Sequence, residues 1–146
     1  MKFIGYINQM PSIITNKKTS NDKNNRILIV DDEYDIALAF KIGLEDHGFA
    51  VDVFNDAQEA LVNFSKSKYN LLLLDIKMPK LNGIEFYLKM REIDDKAKVC
   101  FITASETYYY ENLIKKIFNL LNTRSLFRKP IKLKELIKAL EKELNC

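Results

Sequence analysis

Asp75, Asp31, Asp32, Thr103 and Lys129 are spaced along this 146-residue chain so that one site could handle a phosphoryl group. Asp75 ends the apolar run Leu71-Leu72-Leu73-Leu74 and leads through Ile76-Lys77-Met78-Pro79 into a turn. A second run, Arg26 to Val30, ends in Asp31-Asp32-Glu33; a third, Val99 to Ile102, ends in Thr103; a short fourth ends in Lys129-Pro130. Ligands of open α/β sheets bind outside the carboxyl ends of the strands, so residues at these ends share one edge. Two adjacent acids are costly to ionise together unless a cation sits between them. Asp31 and Asp32 opposite Asp75 therefore suit Mg²⁺, which takes an oxygen octahedron from a few carboxylates, waters and phosphate oxygens. Asp32 alone could equally be read as a cap of the helix that follows. A carboxylate can be a nucleophile that forms an acyl phosphate. The metal and Lys129 would then neutralise the oxygens of the transferring group. Pro130 restricts Lys129 to extended geometry and permits a cis bond, either of which fixes where the ammonium points. Thr103 would supply a hydroxyl.

The elements that must position these residues alternate. Ile27 to Val30 is an apolar, β-branched strand of the kind covered on both faces. A helix is predicted from Glu33 to His47, with Ile36, Phe40 and Leu44 on one stripe, stopping at Gly48. His47, the only histidine, would sit where an imidazolium complements the helix dipole. Val51 to Phe54 reads as a strand, and Asp56 and Glu59 have capping-box spacing for a helix containing Ala60, Leu61 and Phe64. Tyr69 to Leu74 is the third strand, Met78 to Gly83 a loop, and Ile84 to Arg91 a short helix. Lys98 to Ile102, a helix over 106–121, the strand Ser125 to Arg128 and a last helix Ile131 to Leu144 complete the pattern. On that helix Leu133, Leu136, Ile137, Leu140 and Leu144 share a face. Five such units imply an α/β fold, a doubly wound five-stranded parallel sheet with helices on both faces.

Composition bounds the rest. Hydrophobic content of 47% and charged content of 29% are those of a globular domain. No apolar stretch is long enough to span a bilayer, and Tyr6, Asn8, Gln9 and Pro11 interrupt any leader-like segment. Cys100 and Cys146 match no metal or redox spacing, which suits a reducing cytoplasm. The net charge of +3 lies wholly in residues 1–25, where Lys2, Lys17, Lys18 and Lys23 face Asp22 alone. These residues are expected to form a disordered basic arm. The balanced remainder, 26–146, offers no electrostatic case for nucleic acid or a membrane surface.

In order and spacing, Ile-Leu-Ile-Val-Asp31-Asp32-Glu33, Asp75-Ile-Lys-Met-Pro79-Lys-Leu-Asn-Gly83, Thr103-Ala104 and Lys129-Pro130 resemble the receiver domain of two-component response regulators. The resemblance implies a flavodoxin-like sheet of order 2-1-3-4-5. It also implies that Asp75 is the phosphoacceptor for a sensor histidine kinase or phosphotransfer protein. Asp32 and Asp75 would ligate Mg²⁺ directly, Asp31 mainly through water and Lys77 through its backbone carbonyl, while Thr103 and Lys129 bind phosphoryl oxygens. Lys77 and Ser105 would tune acyl-phosphate lifetime. Receivers usually carry Tyr or Phe three residues before the lysine; here that position is Leu126, and Phe127 should face the opposite way.

The resemblance runs to the end of the chain and implies a stand-alone signalling switch rather than a metabolic enzyme. Its output would pass through an unknown downstream protein, a phosphorelay, or a homodimer using the helix over 106–121, the fifth strand and the last helix. Tyr108, Tyr109 and Tyr110 lie about 100° apart on that first helix. They are candidates for the output surface, and equally for cover of the helix–sheet edge. Two other readings fit less well. An aspartyl-phosphate phosphohydrolase similar to the haloacid dehalogenase family would need Asp-x-Asp after the first strand. A phosphorylation-independent adaptor fits Leu126 but leaves the acid pocket unexplained.

Overall fold

The computed structural model describes residues 25–104, 115, 119 and 126–145. The arm, Ser105, Tyr108, Tyr109, Tyr110 and Cys146 lie outside them, as does all of the predicted helix over 106–121 except its helical positions 115 and 119. The elements are β1 (Arg26–Val30), α1 (Tyr34–Asp46), β2 (Ala50–Phe54), α2 (Ala57–Val62), β3 (Leu71–Asp75), α3 (Gly83–Ile93), β4 (Lys98–Ala104), β5 (Leu126–Lys129) and α4 (Leu133–Leu144). The strands form one parallel sheet in the order β2-β1-β3-β4-β5. None of the described helices is long and apolar enough to cross a membrane.

The leucine run forms a central strand because period-two geometry sends alternate side chains to opposite cores. Leu72 and Leu74 enter the core beneath α2 and α3, with Ala57, Ala60, Phe86 and Met90. Leu71 and Leu73 enter the core beneath α1 and α4, with Ala37, Phe40, Leu44, Leu136 and Leu140. All four leucines are fully buried, and each such burial is worth roughly 2 kcal/mol. The buried stripe of α1 is therefore Ala37, Phe40 and Leu44, and Ile36, expected on it, is exposed. Leu133 is likewise more exposed than its periodicity implied, because it lies at the start of α4 over Gly43. A Cβ at Gly43 would fall 2.1 Å from a Leu133 methyl, so this glycine lets α1 and α4 approach.

Local signals set the helix ends. Gly48 takes φ 111° after α1, a conformation open to glycine. His47 caps the helix and reaches Glu141 of α4 at 3.2 Å. Asp56 caps α2, accepting from the Gln58 and Glu59 amides. A complete capping box lies at α3, where Asn82 accepts from the Glu85 amide (2.8 Å) and Glu85 accepts from the Asn82 amide (3.2 Å). The Asn82-Gly83 pair, read as loop, thus starts the helix. Gly83 is required there: a Cβ would stand 2.2 Å from the carbonyl oxygen of Asp75.

At the opposite end of the sheet, Asp94 joins three segments. Its carboxylate accepts from the backbone amides of Ser67 (2.9 Å), Lys96 (2.9 Å) and Ala97 (3.3 Å). Burial pushes its pKa up, but these amides and the Arg91 charge outweigh that and hold it below the ordinary carboxylate range. Arg91 ties the same corner through the Ala97 carbonyl and the Tyr87 hydroxyl.

Asp94→Ala is expected to lower unfolding free energy by about 2 kcal/mol in urea titrations at neutral pH, since three backbone donors, one of them buried, lose a charged acceptor. Because the folded pKa is depressed, that contribution is present above the unfolded carboxyl range and is lost as pH falls through the folded value. The difference between wild type and variant should accordingly shrink on acidification, and a constant difference would count against this account. Gly83→Ala should cost about 1–3 kcal/mol, because the collision is with main chain rather than a flexible side chain.

Candidate functional site

The ladder hydrogen bonds continue just past the strand ends and thereby aim the acids. Asp31 donates its amide to the Phe54 carbonyl (3.1 Å), and Ile76 donates to the Ile102 carbonyl (3.0 Å), so Asp31 and Asp75 are both held by the sheet. The Glu33 amide then donates to Asp31 Oδ1 at 2.9 Å, a turn that orients that carboxylate. Asp32 does not cap α1. The N-cap position is Glu33, which makes no side-chain cap bond, and the exposed Asp32 contributes to the pocket instead.

Among the described residues, Asp31, Asp32 and Asp75 form a cluster whose ligand oxygens all lie within 4.8 Å of one another. Asp31 is 1% exposed and Asp75 3%. Like charges at that spacing repel by roughly 3 kcal/mol per pair at an effective dielectric of 20. Burial, followed by the charge and hydrogen bonding of Asp31, pushes the Asp75 carboxyl up to about 8, against the pull of Lys129. A cation held between these oxygens removes that repulsion, and an all-carboxylate donor set is the hard-oxygen set Mg²⁺ takes. The residues present fit the ion.

Lys129 reaches this cluster from the end of β5. Its Nζ lies 2.9 Å from Asp31 Oδ2, 2.7 Å from Glu33 Oε1 and 3.5 Å from Asp75 Oδ2. Burial alone would lower the lysine pKa, but its bonds to Glu33 and Asp31 raise it above the ordinary value, so it is a fixed positive charge. The Lys129–Pro130 bond is cis. Thr103 is buried at the end of β4, one residue beyond Ile102, the register partner of Asp75. Its hydroxyl donates to the Ala104 carbonyl at 3.3 Å. Lys77 is exposed and lines, with Asp32, Glu33, Asp75, Met78, Pro79, Ala104 and Lys129, a cleft of about 680 Å³.

The structure thus gathers Asp31, Asp32, Asp75 and Lys129 and adds Glu33, to which the sequence reading assigned no role. Glu33 is adjacent to the acids in the chain, but its reach to Lys129, 96 positions away, has no local signature. Leu126 packs on the α2–α3 side of the sheet and Phe127 on the α1–α4 side, as their alternation requires. Leu126 is half-buried beside Phe101, its register partner.

Comparison with other proteins agrees with this architecture. The family model described as the response regulator receiver domain matches residues 27–141. The chain is 37% identical over 82 residues to the transcriptional regulatory protein TrcR of Mycobacterium tuberculosis, covering 56% of this chain and 32% of that one. It is 38% identical over 84 residues to the transcriptional regulatory protein DltR of Streptococcus agalactiae, covering 57% and 38%. The chain therefore matches only about a third of the length of these curated relatives. A CheY-like response regulator receiver domain protein from Methanospirillum hungatei superposes with a TM-score of 0.73 at 26% identity, covering 83% of this chain and 94% of that one. With the parallel sheet, the acid cluster and the strand-end lysine in place, the chain belongs to the response regulator receiver domain family, the phosphorylation-controlled switches of two-component signalling.

Proposed function

We propose that Asp75 accepts a phosphoryl group from the phosphohistidine of a sensor kinase or phosphotransfer protein, in a Mg²⁺-dependent reaction. The observation that carries this reading is the buried Asp75 carboxylate, within reach of both Asp31 and Lys129 at the floor of an open cleft. Asp31, Asp32 and Asp75 would hold Mg²⁺, with the Lys77 backbone carbonyl as a further oxygen. Bound there, the ion supplies charge neutralisation to the phosphoryl oxygens. An Asp75 oxygen attacks phosphorus, the new O–P bond forms as the N–P bond of the phosphohistidine breaks, and the imidazole nitrogen keeps that electron pair. Lys129 gives a positive charge to one phosphoryl oxygen and the Thr103 hydroxyl a hydrogen bond to another. Burial excludes water from the side of Asp75 facing the sheet. Output would pass through a protein partner, a homodimer or onward phosphotransfer, with Leu126 and the segment carrying Tyr108, Tyr109 and Tyr110 on the responding face. The residues before Arg26 would remain a basic arm outside the receiver unit.

Incubation with acetyl phosphate and Mg²⁺ should add the mass of one phosphoryl group to the wild type and none to Asp75→Asn, read by intact-protein mass spectrometry. An unmodified wild type, or a variant modified equally well, would sink the assignment. Lys129→Met should retain the fold and lower the yield at least tenfold, on the scale of a lost charge-stabilising donor.

The Asp75 shift also sets a pH dependence. Raised to about 8 in the metal-free protein, this carboxyl holds a proton at pH 7 that Mg²⁺ must displace. Calorimetric titrations in buffers of different ionisation enthalpy should therefore show close to one proton released per Mg²⁺ at pH 7. Release should fall towards zero above pH 9, while affinity weakens as pH is lowered. Asp75→Asn should abolish the release, whereas release that persists would place the proton elsewhere.

A further inference from the structure

Glu33 lies outside the carboxylate cluster that would hold a cation, yet among the described residues its oxygen is the carboxylate oxygen nearest to the Lys129 ammonium, at 2.7 Å. An ammonium has three N–H donors. Among the described residues three carboxylates face them: Asp31 at 2.9 Å, Glu33 at 2.7 Å and Asp75, the most distant, at 3.5 Å. A phosphoryl oxygen on Asp75 needs a closer approach than the present 3.5 Å, so the ammonium must loosen its hold on one of its two nearer partners. Asp31 is sealed from water, so water cannot replace the lysine there. The Glu33 side chain is 52% exposed, and water can replace the lysine there. Glu33 is the partner that can be released at low cost.

We propose that Glu33 is a positioning residue that parks the Lys129 ammonium in the resting pocket and competes with the phosphoryl group for it. The inference rests on Asp75 being the phosphoacceptor. It makes the occupancy of the phosphorylated state depend on a residue with no contact to the phosphoryl group itself. It also gives the state a structural consequence: on phosphorylation, the tie between the start of α1 and the end of β5 opens.

The test uses beryllofluoride, a phosphoryl mimic, with Mg²⁺ on the full chain. Glu33→Gln should bind it about three- to fivefold more tightly than wild type, the scale of an exposed ion pair. In a Lys129→Met background the same substitution should change affinity little, because there is no ammonium to park. Equal affinity of Glu33→Gln and wild type would overturn the proposal. So would a gain that persists in the Lys129→Met background, since that marks plain charge repulsion of the anion. A second measurement does not depend on phosphoryl chemistry. In metal-free protein the Lys129 ammonium protons, identified by their loss in Lys129→Met, should exchange slowly with water by NMR, and at least several-fold faster in Glu33→Gln. Unchanged exchange would refute the parking role. If wild type takes up no beryllofluoride, the phosphoacceptor reading fails by itself and the exchange rates alone decide on Glu33.

Discussion

Asp75 ends β3 and Asp31 directly follows the adjacent β1, and both are nearly sealed from water, so they act on each other through protein rather than solvent. Asp32 and Glu33 add two more acids at the rim, and Lys129 is the basic side chain brought among them. Among the described residues, Lys129 is the ammonium in ion-pair contact with these acids, and it does not balance them all. Burial first, and then the neighbouring negative charge, raise the Asp75 pKa, and the same charge makes a cation welcome and keeps Lys129 charged. Burial and crowding act together here, and a free chain in water would relax both by hydrating the acids and moving them apart.

The sheet prevents that relaxation. Asp75 cannot retreat because β3 is buried on both faces and bonded to β1 and β4 on both edges. Gly83 brings the start of α3 against the Asp75 main chain, and the Asn82–Glu85 capping box fixes where that helix begins. Repulsion at the top of the sheet is held by hydrophobic burial below it. The Asp94 and Arg91 corner performs the complementary task at the far end, satisfying backbone amides where loops turn back into the sheet.

Much of this could be read along the chain because the relevant signals are local. Leu71 to Leu74 announces a strand with two covered faces, Gly48 a helix stop, and Asp75 before Met78-Pro79 a strand-end acid. Boundaries were less legible where geometry overrode pattern. Gly83 and Asn82 look like a loop pair but begin a helix, since their side-chain and steric roles appear only against Glu85 and Asp75. Ile36 has the right spacing for the α1 stripe, yet the helix is rotated so that Ala37 faces the core; a period places residues on a common face without saying which face is turned inward.

Residue types and order along the chain were enough for the parallel α/β class, the gathering of Asp31, Asp32, Asp75 and Lys129 at one edge of the sheet, and the opposed directions of Leu126 and Phe127. These follow from strand periodicity and from strand ends sharing an edge. Folding in three dimensions settled how the charges are distributed among them: Glu33 rather than Asp75 is nearest to Lys129, and Asp94 anchors the remote corner. Those contacts join residues far apart in sequence, and their energies depend on burial and distances of a few ångströms. Neither quantity exists until the sheet has closed around them.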